Sequence, residues 1–547
     1  MSISADNNTS NGYFKVIRTF TDNSDYGKAE ARAFLNENRL EIAAVSDKAF
    51  TADRIGVELS YDYLPDDKIF VNGFQSWTDS REYSAGEKMY APSLLAKAVF
   101  NSALGKKKGL DNAGDRGIAS VARKKGLFYG ISYGYVRRGS VVDLFGSLSE
   151  RSGYTVIEFD VGRNTVTLTV DVKGKLISAG TTVITSVVRI NDEYDKAFDG
   201  YFRAMGIKPV KRDILNGYTT WYNYYGNIDS KIVERDLAAI SKLDCKVDIF
   251  QIDDGYQADI GDWLNRKEDK FPEGMKELAQ KIHSRNMLAG LWLAPFAAGK
   301  NSFIGKRHPD WLLKDESGRP LTAGANWGGF YALDIYNAEA RAYIEKVFRT
   351  VLFDWGYDLV KLDFLYCAAL VPLHGKSRGE IMCDAVDLLR ECCKDKLILG
   401  CGVPLAPAFG KFDYCRIGPD LGLKWGKNRM DTREGVSTSH AILNSVFRRH
   451  LNNRAFGNDP DVFLLRDKNI KLTESEKNTV SVINKLCGSV LFTSDNIQEY
   501  SDDKIKHIGR IFDKNSWKLL EADICGNRLS VIYEAEGEKR RLDTEIY

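Results

Sequence analysis

The sequence predicts a multidomain protein with an N-terminal antiparallel β-sandwich, a central (β/α)8 TIM barrel and a small C-terminal β domain. Short alternating runs separated by Gly, Asn and Asp fill residues 1–205, which is typical of a sandwich. From about residue 211, short apolar runs alternate with longer amphipathic stretches, as in repeated β-then-α units. Two β-like runs, Trp517–Ala522 and Arg528–Glu534, follow. We therefore expect domains at 1–205, 206–502 and 503–547.

Eight apolar runs are predicted to be the barrel strands. They are Asn216–Tyr225, Val247–Asp253, Met287–Leu293, Asp358–Phe364, Lys396–Gly400, Phe412–Gly418, Arg454–Leu465 and Gly488–Ser494. The seventh has the weakest pattern, because Gly457 and Pro460 interrupt it. Helices are predicted between the strands, at Ser230–Lys242, Gly274–Arg285, Ala338–Phe353 and Gly379–Lys394. Eight such units over about 280 residues fit the usual size of this barrel.

Composition and charge exclude several classes of partner. The 547 residues include 77 basic and 75 acidic residues, a net charge of +2 without a basic patch, so no nucleic-acid partner is expected. No apolar run is long enough to span a membrane. Met1–Phe20 lacks the pattern of a secretory signal, and the cysteine count of nine is odd, so we expect a cytoplasmic protein with reduced thiols. Six scattered His and no Cys/His cluster predict neither a metal nor a cofactor.

Polar and aromatic residues follow most of the predicted strands. In a barrel of this kind the active site lies at the C-terminal ends of the strands. The residues at these ends are Trp221, Asp253, Asp254, Trp292, Lys361, Asp363, Cys401, Arg416, Asp420, Asp459, Asp461 and Asp495. Several carboxylates on one face repel each other and lose hydration, which a purely structural face would avoid. The pattern therefore predicts a functional face.

Asp363 and Asp420 are the candidate catalytic pair. Lys361 lies two residues before Asp363, so both side chains point to the barrel mouth, where the cation would keep a nucleophile ionised. A buried structural ion pair is the alternative. Asp420 follows a Gly-Pro turn that fixes its direction, although a helix-cap role would explain it equally well. Retaining glycosidases need two carboxyl groups about 5 Å apart, and we expect partial burial to raise the pKa of Asp420 above that of Asp363.

Asp253 and Asp254 are adjacent acids that end the second strand. Like charges at this spacing are unfavourable unless sugar hydroxyls or a cation satisfy them. A divalent metal is the competing interpretation, and the predicted presence of Lys361 and Arg416 at the same mouth argues against it. In the β domain, the polar-aromatic loop that ends at Trp77 would either reach over the barrel mouth or pack at the domain interface.

The motifs at these positions resemble those of glycoside hydrolase family 36, the α-galactosidases and their relatives. They occur in the family's order and span most of the predicted barrel. The matching stretches are Trp221–Asn223, Phe250–Tyr256, Gly261–Trp263, Lys270–Met275, Gly290–Phe296, His308–Leu312, Lys361–Phe364, Arg416–Asp420 and Asn458–Asp461. Each motif is weak alone, but the ordered set is specific.

The resemblance implies roles for ten residues. Asp363 matches the family's nucleophile and Asp420 its acid/base. Asp253 and Asp254 match the pair that holds the 4- and 6-hydroxyls of galactose. The remaining matches are contacts in the sugar pocket: Lys361, Arg416, Trp221, Trp292, Cys401 and Trp77. The implied activity is that of a retaining, exo-acting α-galactosidase that hydrolyses α-galactoside oligosaccharides by double displacement.

Two departures leave the specificity open. The family's usual Cys-Ser-Gly-Gly is Cys401-Gly-Val-Pro404 here, and Tyr256 replaces a more frequent Trp. An α-N-acetylgalactosaminidase or a galactosyl transferase of the same family therefore stays an alternative. A non-catalytic sugar-binding barrel and a metal-dependent barrel enzyme are alternatives of other classes. Members of the family are often oligomers, so the resemblance leaves a homo-oligomer open.

Overall fold

The N-terminal part of the chain forms two antiparallel sheets. The computed structural model describes residues 3–5, 10–89, 124–208, 213–315, 317–426, 433–515 and 517–546, with a few residues between 99 and 114. The strands are β1 (Ile3–Ala5), β2 (Val16–Asp22), β3 (Glu30–Asn36), β4 (Arg39–Ser46), β5 (Arg54–Ser60), β6 (Lys68–Val71), β7 (Arg81–Ser84), β8 (Leu127–Ile131), β9 (Tyr133–Arg138), β10 (Val141–Ser147), β11 (Tyr154–Asp160), β12 (Thr165–Asp171) and β13 (Gly180–Glu193). Their order is β1-β3-β4-β13-β10-β9-β6-β7 in one sheet and β2-β5-β12-β11-β8 in the other. Alternation along these strands turns apolar side chains inward, and Phe145 of β10 meets Phe159 of β11 between the sheets.

The central strands form a parallel barrel. They are β14 (Leu215–Thr219), β15 (Ile249–Ile252), β16 (Leu288–Leu293), β20 (Leu359–Leu362), β21 (Leu397–Gly400), β22 (Tyr414–Arg416), β23 (Gly457–Asp459) and β24 (Val490–Thr493). Neighbours pair in the order β23-β22-β21-β20-β16-β15-β14-β24. Ser489 N donates to Asn458 O (2.8 Å) and Phe463 N to Phe492 O (3.0 Å), which brings the two edge strands together. Each strand overlaps one of the eight predicted runs, and the predicted fold class is confirmed.

Helices cover the barrel and the sandwich. Their bounds are Tyr194–Ala204, Trp221–Tyr224, Ser230–Ala239, Met275–His283, Phe303–Arg307, Ala338–Arg349, Arg378–Cys393, Leu405–Ala408, Thr438–Phe447, Glu474–Cys487 and Asp502–Phe512. Side-chain caps fix several starts: the Asp229 carboxylate accepts from Ile232 N, and Thr473 and Glu476 form a capping box. None of the described helices combines the length and hydropathy needed to cross a membrane.

The first and seventh strands are shorter than predicted. The first ends at Thr219, because Trp221–Tyr224 turns into a short helix at the mouth. The seventh is reduced to Gly457–Asp459. Pro460 has no N–H for the ladder, and Asp461 at φ 79° turns the chain away.

Two small sheets were only partly predicted. The sequence pattern gave no sign of the sheet β17 (Ala297–Gly299), β18 (Thr322–Gly324) and β19 (Phe330–Ala332), because three-residue strands are too short to show a period. The C-terminal sheet contains β25 (Lys518–Cys525), β26 (Arg528–Ala535) and β27 (Glu538–Glu545). The third of these was missed because its sequence, Glu-Lys-Arg-Arg-Leu-Asp-Thr-Glu, is mostly charged and exposed.

Candidate active site

A cavity of about 270 Å³ opens at the C-terminal ends of the barrel strands. Eight of the ten predicted site residues line it: Trp77, Trp221, Asp253, Asp254, Trp292, Lys361, Asp363 and Asp420. Arg416 and Cys401 are buried directly behind this wall. The structure therefore brings all ten residues together, eight at the cavity surface and two in contact with its lining.

Asp363 directly follows β20 and is fixed from several sides. Its backbone N–H donates to Leu293 O (2.8 Å). The indole N–H of Trp292 donates to Asp363 Oδ2 (3.1 Å), and the Phe364 N–H donates to Oδ1 (2.8 Å). Burial raises the pKa of Asp363, the charge of Lys361 opposes that rise, and the charge of Asp420 adds to it. The carboxylate is thus held in one orientation at the bottom of the cavity.

Lys361 forms its ion pair with Asp253, not with Asp363 as the sequence suggested. Its Nζ lies 2.8 Å from Asp253 Oδ2. The same oxygen accepts from Gln251 Nε2 at 3.0 Å, so Asp253 is held towards β20 across the sheet. Burial lowers the pKa of Lys361, but the charges of Asp253 and Asp363 outweigh it, and the pKa is raised overall. Lys361 therefore stays charged between two carboxylates.

Asp254 is held by two donors that take no part in this ion pair. Gln257 Nε2 donates to Oδ1 (2.6 Å), and Trp327 Nε1 donates to Oδ2 (2.9 Å). Burial raises its pKa, and both hydrogen bonds act in the opposite direction. Trp327 itself sits at φ 53°, in the left-handed region, between β18 and β19. A residue this bulky is rarely found there, which marks the turn as a place where local strain accompanies a pocket contact.

Asp420 lies nearer the opening and is oriented by Arg416. Arg416 Nη2 is 3.0 Å from Asp420 Oδ1 and 3.2 Å from Asp461 Oδ2. Arg416 is 1% exposed, whereas the Asp420 side chain is 38% exposed. Asp420 is therefore partly buried, as expected, and the Gly-Pro turn places it at the rim; the expected order of the two pKa values stays a prediction.

The N-terminal domain contributes Trp77 to the pocket. Its indole N–H donates to Cys401 Sγ (3.3 Å), and Arg416 Nη1 lies 4.0 Å from the same sulfur. Gly402, at φ 57°, passes beneath the indole, and a Cβ there would lie 2.9 Å from the Trp77 ring. Ser76 N donates to Val403 O (3.0 Å). The unusual Cys-Gly-Val-Pro segment is thus the surface on which the Trp77 loop docks.

Arg448 anchors the loop that carries Trp77 through hydrogen bonds to residues 72–76. It follows helix Thr438–Phe447, is fully buried, and donates to four backbone carbonyls and one side-chain amide. The acceptors are Asn72 Oδ1 (3.0 Å), Gly73 O (3.2 Å), Gln75 O (3.1 Å), Ser76 O (2.7 Å) and Ile417 O (2.9 Å). The loop that carries Trp77 and the segment that carries Arg416 and Asp420 are therefore tied to one side chain.

Several residues at the cavity were not predicted. They are Ala113, Asn326, Trp327, Phe364, Tyr366, Glu434 and Val436. Phe364 and Tyr366 follow Asp363 in the chain, so their position at a strand end was a usable signal. The others come from long connections, which have no periodicity that would place them at the mouth.

The comparisons identify relatives of the barrel segment. Residues 205–369 match the melibiase family. The chain is 24% identical over 225 residues to alpha-galactosidase 2 of Pediococcus pentosaceus, which is 38% of this chain and 30% of that protein. It is 29% identical over 151 residues to the alpha-galactosidase of Escherichia coli, covering 26% and 20%. These alignments span less than a third of the curated relatives' length.

Solved structures share the fold over nearly the whole chain. TtGalA, an alpha-galactosidase from Thermus thermophilus, superimposes with a TM-score of 0.72 at 24% identity, covering 95% of this chain and 98% of that one. The family 36 alpha-galactosidase AgaA from Geobacillus stearothermophilus gives 0.61 at 13% identity, covering 93% and 71%.

The fold and the lined cavity define a (β/α)8 barrel with an N-terminal β-sandwich and a cavity of acidic and aromatic residues at the strand ends. The matched segment, the relatives and the shared architecture narrow the class of protein further. They confirm the resemblance to glycoside hydrolase family 36 that the ordered motifs indicate.

Proposed function

We propose that this protein is a retaining, exo-acting α-galactosidase that removes terminal α-linked galactose from oligosaccharides. The observation that carries the proposal is the pair of carboxylates in one cavity, Asp363 at the end of β20 and Asp420 nearer the opening. The relatives support the substrate class, because TtGalA has been solved with p-nitrophenyl α-D-galactopyranoside and with stachyose.

In the proposed first step, Asp363 attacks the anomeric carbon and Asp420 protonates the departing glycosidic oxygen. The Trp292 N–H fixes the Asp363 carboxylate, and the charge of Lys361 favours its ionised form. Arg416 holds Asp420 at the side of the cavity from which the leaving group departs. In the second step, Asp420 takes a proton from water while the water oxygen attacks the anomeric carbon and displaces the Asp363 carboxylate, which releases galactose with the α configuration.

Galactose recognition falls to the deep polar residues. Asp253 and Asp254 are 2% and 6% exposed, and each already accepts hydrogen bonds that fix its orientation. Carboxylates held this way accept hydrogen bonds from sugar hydroxyls without reorganising. Lys361 occupies the position where a divalent cation would need to bridge Asp253 and Asp363, which argues against the metal-dependent alternative.

The first experiment compares four p-nitrophenyl sugars in EDTA: the α-galactoside, the α-N-acetylgalactosaminide, the β-galactoside and the α-glucoside. Release from the α-galactoside alone supports the proposal. Preference for the N-acetylated sugar would move the specificity to that alternative. No release from any of them, with no galactose transferred to a sugar acceptor, would leave the non-catalytic sugar-binding barrel.

The two carboxylates are assigned by azide rescue. Asp363→Ala should lose activity by at least about 10³-fold and, with azide, form the β-galactosyl azide, because one displacement inverts the anomeric carbon. Asp420→Ala should form the α-galactosyl azide after two displacements. Asp315→Asn, on an exposed turn, is the control and should keep full activity. Near-normal activity of Asp363→Ala would refute the assignment.

A further inference from the structure

A fifth carboxylate, Glu434, lies in the wall of the cavity and has no part in the steps above. It lines the opening together with Ala113 and Val436, and Val436 is 53% exposed. We propose that Glu434 is a specificity-determining residue that accepts hydrogen bonds from hydroxyl groups of the leaving sugar. The inference rests on the proposed α-galactosidase function and assigns a ligand chemistry to the outer part of the same site.

The depth of the cavity separates two regions. Asp253, Lys361 and Trp292 are each less than 10% exposed and form the base with Asp363. An acid that protonates the glycosidic oxygen must lie at the boundary between the galactose ring and the leaving group. Asp420 occupies that boundary in the proposed mechanism. Residues between Asp420 and solvent therefore face the leaving group.

Glu434 is held in place by the N-terminal domain. Thr78, which follows Trp77 in the chain, donates from Oγ1 to Glu434 Oε1 at 2.9 Å. A Cβ at Gly114 would lie 3.3 Å from Glu434 Oε2, so glycine lets this segment approach the carboxylate closely. The chain on both sides of the domain interface thus converges on one acidic side chain.

The backbone before Glu434 is equally constrained. The neighbouring Arg433 donates from Nη1 to Tyr129 Oη (3.1 Å) and from Nη2 to Asp79 O (3.1 Å). Asp79 N donates in turn to Arg433 O (3.0 Å). A carboxylate on a segment fixed this way loses little conformational freedom when it binds a ligand.

The chemistry of this wall fits a hydroxylated leaving group. A carboxylate has about four acceptor sites, so it can accept from sugar hydroxyls in addition to its protein donors, of which Thr78 is one. Val436 and Ala113 supply apolar surface beside it, suited to the C–H face of a sugar ring. An aryl leaving group such as p-nitrophenol has no hydroxyl to donate while it is still bonded to galactose.

The test compares two substrates that share the galactosyl group and differ in the leaving group. For Glu434→Ala, we expect kcat/KM on stachyose to fall by about tenfold or more, as for the loss of a hydrogen bond to a charged acceptor. On p-nitrophenyl α-galactoside it should change by less than about twofold. Glu434→Gln, which keeps the shape and an acceptor for Thr78, should show an intermediate loss on stachyose. Glu345→Ala, at an exposed helix position, is the matched control.

A second arm uses the same wall in the reverse direction. By microscopic reversibility, an acceptor sugar occupies the leaving-group position when its hydroxyl attacks the galactosyl–Asp363 ester and passes its proton to Asp420. With p-nitrophenyl α-galactoside as donor and sucrose as acceptor, Glu434→Ala should lower the ratio of transfer to hydrolysis.

Equal losses on both substrates would overturn the inference, because they would mean that Glu434 supports the fold or the galactose pocket. Unchanged kinetics on both would also overturn it. These results differ from failure of the proposed function, in which the unmodified protein would release nothing from either substrate.

Discussion

Replacing Arg448 tests whether the N-terminal domain completes the active site. Arg448→Met would leave four backbone carbonyls and one amide oxygen of the Trp77 loop and its neighbour without a donor. At about 1 kcal/mol for each buried unpaired acceptor, the loss is about 5 kcal/mol.

The loss of a buried charge offsets part of this. Burial lowers the pKa of Arg448 to about 10, with partial opposition from Tyr133, and that lowering corresponds to about 3 kcal/mol. Methionine removes this cost. The net loss of about 2 kcal/mol corresponds to a factor of about thirty in the docking equilibrium of the loop.

The assay is kcat/KM on p-nitrophenyl α-galactoside, with Tm measured in parallel. We expect Arg448→Met to lower kcat/KM by about tenfold to thirtyfold, and Arg448→Lys, which keeps the charge and three donors, to recover part of it. If Arg448 acts through Trp77, its substitution should have little further effect in a Trp77→Ala background. Additive losses in that double-mutant cycle would refute the reasoning, as would full activity of Arg448→Met.

Two further substitutions act on the base of the cavity. Lys361→Met removes the charge that lowers the pKa of Asp363, so we expect that pKa to rise. The acid limb of the kcat/KM profile should then move to higher pH, and an unmoved limb would contradict this reasoning. The same change leaves Asp253 buried without its cation, and we expect a lower Tm. Trp327→Phe keeps an aromatic ring but loses the donor to Asp254. We expect KM to rise by up to about tenfold with a smaller change in kcat. An unchanged KM would show that this hydrogen bond is not used in binding.

The barrel could be predicted from the sequence because its signal is local. Runs such as Leu288–Leu293 are apolar on both faces, and the helices around the strands have recognisable caps, as at Asn337 and Ser377. The strand ends then place Asp253, Asp363 and their neighbours at one face without any further information. Because the active site of such a barrel lies at the C-terminal ends of the strands, the strand positions were enough to predict which residues share that face.

The sequence did not predict in the same way which of these side chains form ion pairs with each other. Lys361 is two residues from Asp363 in the chain, yet it pairs with Asp253 across β16. Spacing gives the side of a strand to which a residue points, but the twist and stagger of a closed barrel decide which neighbour is nearest.

Most of the cavity residues that escaped prediction lie on long connections and not at strand ends. Trp327 lies on an insertion between barrel elements, and Glu434 on the connection after Asp420. Each is fixed by contacts that are distant in sequence: Asp254 with Trp327, and Thr78 with Glu434. A single sequence carries no periodic trace of such contacts.

The part of the chain that supplies each cavity residue has a functional consequence. The base of the cavity is built by the barrel alone, from side chains at its strand ends. The N-terminal part of the chain adds Trp77 and Ala113 to the lining, and its Thr78 holds Glu434. Because the proposed mechanism places galactose at the base and the leaving group at the opening, changes in the barrel should alter the chemistry and the choice of galactose. Changes at Thr78 and Glu434 should instead alter which galactosides are cleaved, so the two properties can vary separately.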